Sequence, residues 1–176
     1  MWRLVGFTPE NSVKDEVERI IELLKGDIDY FHIRKPKLSE DETRSYILSF
    51  PLALRQKLTI HYFPKLALEY NLGGIHLNSR NPELKDEFLG KRISYSCHSL
   101  EEVREKKAFC DYVFLSPIYN SISKKGYNSG FDLIELQNSK EIDEKVFALG
   151  GIREENFKEL KEIGFGGAGL LGSIWK

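Results

Sequence analysis

The sequence is poor in cysteine, in excess charge of either sign and in long apolar runs, and each shortage removes a class of function. Cys97 and Cys110 are its two cysteines, without CxxC spacing and without a histidine cluster at zinc spacing. Neither a disulfide framework nor a structural zinc module is expected, and two reduced thiols fit a cytoplasmic chain. The formal net charge of -1 argues against a nucleic-acid partner, because binding a phosphate backbone normally takes a large excess of Lys and Arg on one face. No apolar run approaches about 20 residues, and no basic flank precedes an apolar core at the N-terminus, so neither a membrane partner nor secretion is expected. Linkers and low-complexity stretches are missing too. What is there is 176 residues, 41% hydrophobic and 30% charged, enough for one well-buried core and read as a single domain over 1–176.

Short apolar runs recur at even intervals and read as strands: Trp2–Phe7, Tyr30–Ile33, Leu58–His61, Gly74–Leu77, Arg92–Ser96, Asp111–Leu115, Val146–Leu149 and Gly167–Leu171. Helical signals lie between them. Ser12 with Asp15, Ser39 with Glu42 and Ser99 with Glu102 carry the spacing of helix N-termini, where short oxygens satisfy free amides. Pro64 suits a first helical turn, Phe131–Asn138 and Glu154–Ile163 read as further helices, and Gly164 stops the last of them. Pro82–Leu89 is a weak helix only. Alternation of this kind specifies a parallel sheet, and eight units specify a (β/α)₈ TIM barrel; an open doubly wound sheet is the alternative. Lys176 lies six positions beyond Leu170, which leaves no room for the final helix, so either the sequence is trimmed or the flank of strand eight is expected to be covered by something else.

Active sites of such barrels lie at the carboxyl ends of the strands, where polar residues collect here. In strand two the period of two puts His32 and Arg34 on one face and Phe31 and Ile33 on the other. A guanidinium there suits a bidentate phosphate contact or a structural carboxylate pair. His32 reads as a catalytic acid or base or a substrate contact, or else as a packing residue. His61 ends strand three and reads as a catalytic candidate ahead of the other two, His76 sits between Ile75 and Leu77 in strand four and reads as core, and Ser96-Cys97-His98 ends strand five, with His98 beside the Ser99 cap. After strand six, Ser121 and Ser123 stand before Lys124, giving two hydroxyls and a point charge suited to an anion. Gly150-Gly151 and Gly172-Ser173 follow strands seven and eight, where barrels commonly bind phosphate through backbone amides.

The order His-Ile-Arg at 32–34, Gly-Ile-His-Leu at 74–77, Ser-Cys-His-Ser-Leu-Glu-Glu at 96–102, Leu-Ser-Pro-Ile-Tyr at 115–119, Ser-Lys-Lys-Gly at 123–126 and Ala-Leu-Gly-Gly-Ile at 148–152 resembles the thiamine-phosphate synthase and TenI superfamily. The resemblance implies an enzyme of thiamine biosynthesis, a transferase joining a pyrimidine diphosphate to a thiazole phosphate with release of pyrophosphate. Its partners are then those small phosphorylated substrates, and a homo-oligomer stays open. It implies diphosphate contacts from Arg34, Ser96 and Lys124, with Pro36 at a lysine position flanked by Lys35 and Lys37. Ser121 stands at a threonine position. Gly150, Gly151, Ile152 and Gly172 fall to the thiazole phosphate, Gly172 replacing a serine. The family's Mg2+ is implied too, but its Asn-Asp pair after strand three reads His61-Tyr62 and its aspartate after strand four reads Asn81, so both anionic ligands are replaced. TenI proteins acting as thiazole tautomerases share His32, but their loop-six histidine is Pro117 here. In that alternative His32, His61 or His98 carries the proton, and a third alternative is a non-catalytic binder of thiazole phosphate or thiamine phosphate.

Overall fold

Turn residues cut the apolar sequence into short runs that form brief strands. The computed structural model describes residues 1–78, 84–120 and 130–175. Strands β1 (Arg3–Phe7), β2 (Tyr30–Ile33), β3 (Leu58–Ile60), β4 (Gly74–Leu77), β5 (Arg92–Cys97), β6 (Tyr112–Leu115), β7 (Val146–Ala148) and β8 (Gly167–Leu170) follow one another in chain order around a closed barrel. The helices are α1 (Glu16–Lys25), α2 (Glu40–Leu48), α3 (Lys65–Glu69), α4 (Leu100–Lys106), α5 (Leu133–Gln137) and α6 (Phe157–Ile163). Between β4 and β5 the described residues form only a 3₁₀ turn, Asp86–Phe88, and those after β8 form no helix. The closed barrel, rather than an open sheet, is what the alternation of strand and helix specified. Among the described residues no helix is long and apolar enough to cross a membrane.

Helix starts follow local chemistry, not always as the sequence spacing suggested. Ser39 and Glu42 form the reciprocal capping box, side chain to amide in both directions. Ser99 caps α4 by accepting from the Glu102 amide, but the Glu102 carboxylate accepts from the His98 amide instead, at 2.6 Å. Ser12 and Asp15 do not cap α1. Asp15 lies in the left-handed region at φ 53 with no side-chain cap, and Glu16 reaches back to the Val13 amide at 3.1 Å. Glu154–Ile163 is a 3₁₀ turn running into α6, which ends at Gly164 with φ 109.

The chain divides into two compact units, Gly6–Ile93 and Met1–Val5 with Ser94–Lys176. In the first, Phe31 pairs in register with Leu58, and Ile33 with Ile60; Phe31, Leu58 and Ile75 are fully buried. Each such side chain contributes about 1.5–3 kcal/mol. In the second, Tyr112 stacks on Phe147 at 4.7 Å and Lys107 donates to Asp143 at 2.8 Å.

Candidate active site

Parallel register decides which side chains meet in the unit Gly6–Ile93. His32 pairs with Thr59, and Thr59 with Gly74, so the period of two places His32, Thr59, His61, Gly74 and His76 on one face and Phe31, Ile33, Leu58, Ile60, Ile75 and Leu77 on the other. On the first face His32 Nδ1 lies 2.9 Å from His61 Nε2. The His61 and His76 rings stack at 4.1 Å with 21° between their planes, and His32 meets His76 at 5.4 Å between centroids. Phe7 of β1 closes the cluster, 4.8 Å from His32. Rings on β2 and β4 that touch across β3 mark this as the concave side of the sheet. Beneath them Arg92 donates to Thr59 Oγ1 at 3.1 Å and stacks on the Tyr30 ring at 3.6 Å. Glycine is required at 74, since a Cβ there would sit 2.7 Å from both the Arg92 carbonyl oxygen and Thr59 Oγ1.

All three histidines are buried, and burial is the main reason each is held neutral. It lowers His32 well below the ordinary imidazole value, with His76 and Arg92 adding to the effect. His61 is lowered the same way by burial, then by His76, His32 and Arg34. His76 is pushed down to about 3 by burial and by Arg34. Neutral imidazoles make poor acids at neutral pH; they are good hydrogen-bond relays and good metal ligands. The sequence marked His32 and His61 as site residues and assigned His76 to the core. His76 is buried, but against His61, and its burial serves this cluster.

Arg34, next on the same face, takes the carboxylate alternative: its Nη1 pairs with Glu10 Oε1 at 2.5 Å, and its amide donates to Thr8 Oγ1 at 2.8 Å. Its side chain is 39% exposed, so the guanidinium also faces solvent. Lys35 is different. Its Nζ lies 2.8 Å from Glu16 Oε2, with the two side chains 2% and 4% exposed, and the Tyr46 hydroxyl donates to the other Glu16 oxygen. Lys37 donates to Asn11 at 2.8 Å. Lys35 is thus committed to a buried pair that anchors the segment carrying Arg34.

In the other unit, Ser96 is half-buried near the end of β5, in register with Phe114. His98 is exposed, and its Nδ1 lies 3.0 Å from the Ser116 carbonyl oxygen. A carbonyl only accepts, so Nδ1 carries a proton. Gly150 and Gly151 have φ of 95 and 68. Their turn lies along 118–120: the Ile118 amide donates to the Leu149 carbonyl at 2.9 Å and the Tyr119 amide to the Gly150 carbonyl at 3.0 Å. A Cβ at Gly151 would come 2.4 Å from the Asn120 carbonyl oxygen. Ile152 is 3% exposed. Gly172 follows β8, and the next residue, Ser173, has a buried hydroxyl without a hydrogen-bond partner. Asn81, Ser121, Ser123 and Lys124 lie outside the described residues.

A closed barrel of eight parallel strands with helices between them is a β/α-barrel. The family model described as thiamine monophosphate synthase matches residues 4–174, and the chain belongs to that family. It is 38% identical to thiamine phosphate pyrophosphorylase from Bacteroides thetaiotaomicron, covering 99% of this chain and 85% of that one, with a TM-score of 0.85. The thiamine phosphate pyrophosphorylase from Pyrococcus furiosus superposes with a TM-score of 0.74 at 21% identity over 96% of this chain and 85% of that one, a likeness of fold. The thiamine-phosphate synthase of Clostridium acetobutylicum is 30% identical over 92% of this chain and 80% of its own length. That of Anoxybacillus flavithermus is 28% identical over 93% and 81%.

Proposed function

We propose that this chain is a transferase of thiamine-phosphate synthase type, joining hydroxymethylpyrimidine diphosphate to thiazole phosphate and releasing pyrophosphate. The observation that carries the reading is the 38% identity with the Bacteroides thetaiotaomicron thiamine phosphate pyrophosphorylase over 99% of the chain. As the bond from carbon to diphosphate breaks, negative charge grows on the departing oxygens, and fixed donors aimed at it supply the catalysis. Arg34 offers one such charge, tethered by Glu10, and Lys124 the other, while Ser96 and Ser121 orient the diphosphate. Ser123 and His98 border it. The thiazole phosphate takes the amides of Gly150, Gly151, Ile152 and Gly172. Among the described residues neither the Gly151 nor the Gly172 amide donates to a backbone carbonyl, and the buried Ser173 hydroxyl supplies a further donor.

Magnesium does not fit the described residues at the family's metal position: His61 and Tyr62 bring no carboxylate, and a hard cation of that size binds oxygen. In this reading Arg34, Lys124 and the hydrogen-bond donors carry the charge that develops on the leaving diphosphate. Proline at 117 counts against the tautomerase alternative. The test is turnover of the two substrates by the full chain, followed as thiamine phosphate and pyrophosphate. Equal amounts of both products are expected. Tight binding of thiamine phosphate with neither product formed would leave a binder, not a synthase.

A further inference from the structure

His32, His61 and His76 each offer a ring nitrogen, and these nitrogens lie within 4.8 Å of one another, all three residues buried. Filling the concave side of a sheet takes only apolar rings; Phe or Leu would occupy the same space without desolvating polar nitrogens. We propose that the three imidazoles, one each from β2, just after β3 and β4, form a binding site for a divalent cation of the zinc class, such as Zn2+, Co2+ or Fe2+. The inference stands apart from the synthase reading, since it draws only on the geometry of this cluster.

Donor chemistry selects the ion. Imidazole suits zinc, cobalt, nickel and iron, whereas magnesium wants oxygen in a near-ideal octahedron. A tetrahedral ion bound at about 2.0–2.1 Å holds its nitrogen ligands about 3.3 Å apart. The His32 Nδ1 to His61 Nε2 separation is 2.9 Å, and the 4.8 Å limit on the set lies within side-chain rotation of that spacing. Seating the ion requires the stacked His61 and His76 rings, now 4.1 Å apart, to fan open. It also requires the proton shared by His32 Nδ1 and His61 Nε2 to move to the far nitrogen of its own ring. Each ring keeps one proton, so the shift changes no charge. Arg34 opposes the incoming ion, but it is paired with Glu10, and Arg92 lies against Tyr30 and Thr59. Register explains why these histidines converge: Ile60 pairs with Ile75, so His61 and His76, one residue further along each strand, stand side by side. Three protein ligands leave a fourth position for water or an anionic oxygen, the arrangement of reactive rather than structural sites.

The experiment is titration of Co2+ into the full-length, chelator-stripped protein, read by visible absorption and then by X-ray absorption at the cobalt edge. Intense four-coordinate bands saturating at one cobalt per chain, with three imidazole nitrogens per metal and no displacement by excess Mg2+, are expected. His76→Ala and His61→Ala should each weaken binding by more than about a hundredfold, the upper range for loss of outer support alone. The wild-type measurement decides without any variant: absence of the bands at millimolar Co2+, or fewer than three imidazole nitrogens, overturns the proposal. So does unchanged Co2+ binding in a His61→Ala/His76→Ala protein that melts like the parent.

Discussion

Replacing Glu16 by Gln isolates the interaction on which the Arg34 segment rests. Lys35 and Glu16 are 2% and 4% exposed at 2.8 Å, and Glu16 also accepts from the Val13 amide and the Tyr46 hydroxyl. Gln keeps the shape and one accepting oxygen while removing the charge, so the Lys35 ammonium is left buried opposite a neutral group. Breaking a buried pair from one side costs about 3–5 kcal/mol. For a chain of this length that corresponds to a fall in melting temperature of roughly 10 °C. Lys35→Met should cost a similar amount, and the double variant less than the sum, because neither charge is then stranded; coupling of about 1–3 kcal/mol is expected. Urea unfolding followed by circular dichroism gives all three values. Tyr46 supplies a second readout: burial and the Glu16 carboxylate raise its hydroxyl above the ordinary phenol value, so Glu16→Gln should let it titrate at lower pH. A Glu16→Gln protein within about 0.5 kcal/mol of the parent, the range of an exposed substitution, would show that the pair does not hold this segment.

The histidine cluster makes the metal-stripped protein acid-sensitive. His76 has a folded value near 3 against an ordinary value of 6.5, so the unfolded chain binds the extra proton and stability falls as pH drops below 6.5. The loss is about 2 kcal/mol for His76 alone by pH 5, with His32 and His61 adding in the same direction; stability constant from pH 7 to 5 in urea titrations would contradict it. Gly151→Ala forces a Cβ toward the Asn120 carbonyl at a backbone φ of 68, so phosphate binding measured by calorimetry should drop at least tenfold, and unchanged affinity would remove that turn from the site. Lys124→Ala should slow pyrophosphate release about a hundredfold, near 3 kcal/mol, and Lys125→Ala much less; equal rates would take the lysine out of the mechanism.

Strand positions were legible because each is an apolar run between turn residues, and Tyr30–Ile33 and Gly74–Leu77 fall where the sequence put them. Arg34 was legible as a residue needing a partner, since a charge at the end of a buried strand must be compensated; that the partner is Glu10 depends on a loop path no local pattern encodes. The cluster was harder. His32 and His61 stand 29 positions apart, far from any linear metal-ligand spacing, and meet through the register of β2 on β3. Carrying the strand-two alternation across β3 and β4 would have placed His76 beside them. Lys35 was hidden for a related reason: its partner Glu16 opens α1, where Ser12 and Asp15 looked like the capping residues.

Thiamine phosphate soaked into crystals of the protein, or co-crystallised with it, tests the central claim most directly. The phosphate should lie about 3 Å from the amides of Gly151 and Gly172, with the Ser173 hydroxyl turned toward it. Phosphate bound elsewhere while both amides remain turned away from it would contradict the assignment of these two turns, and with it the substrate reading built on them.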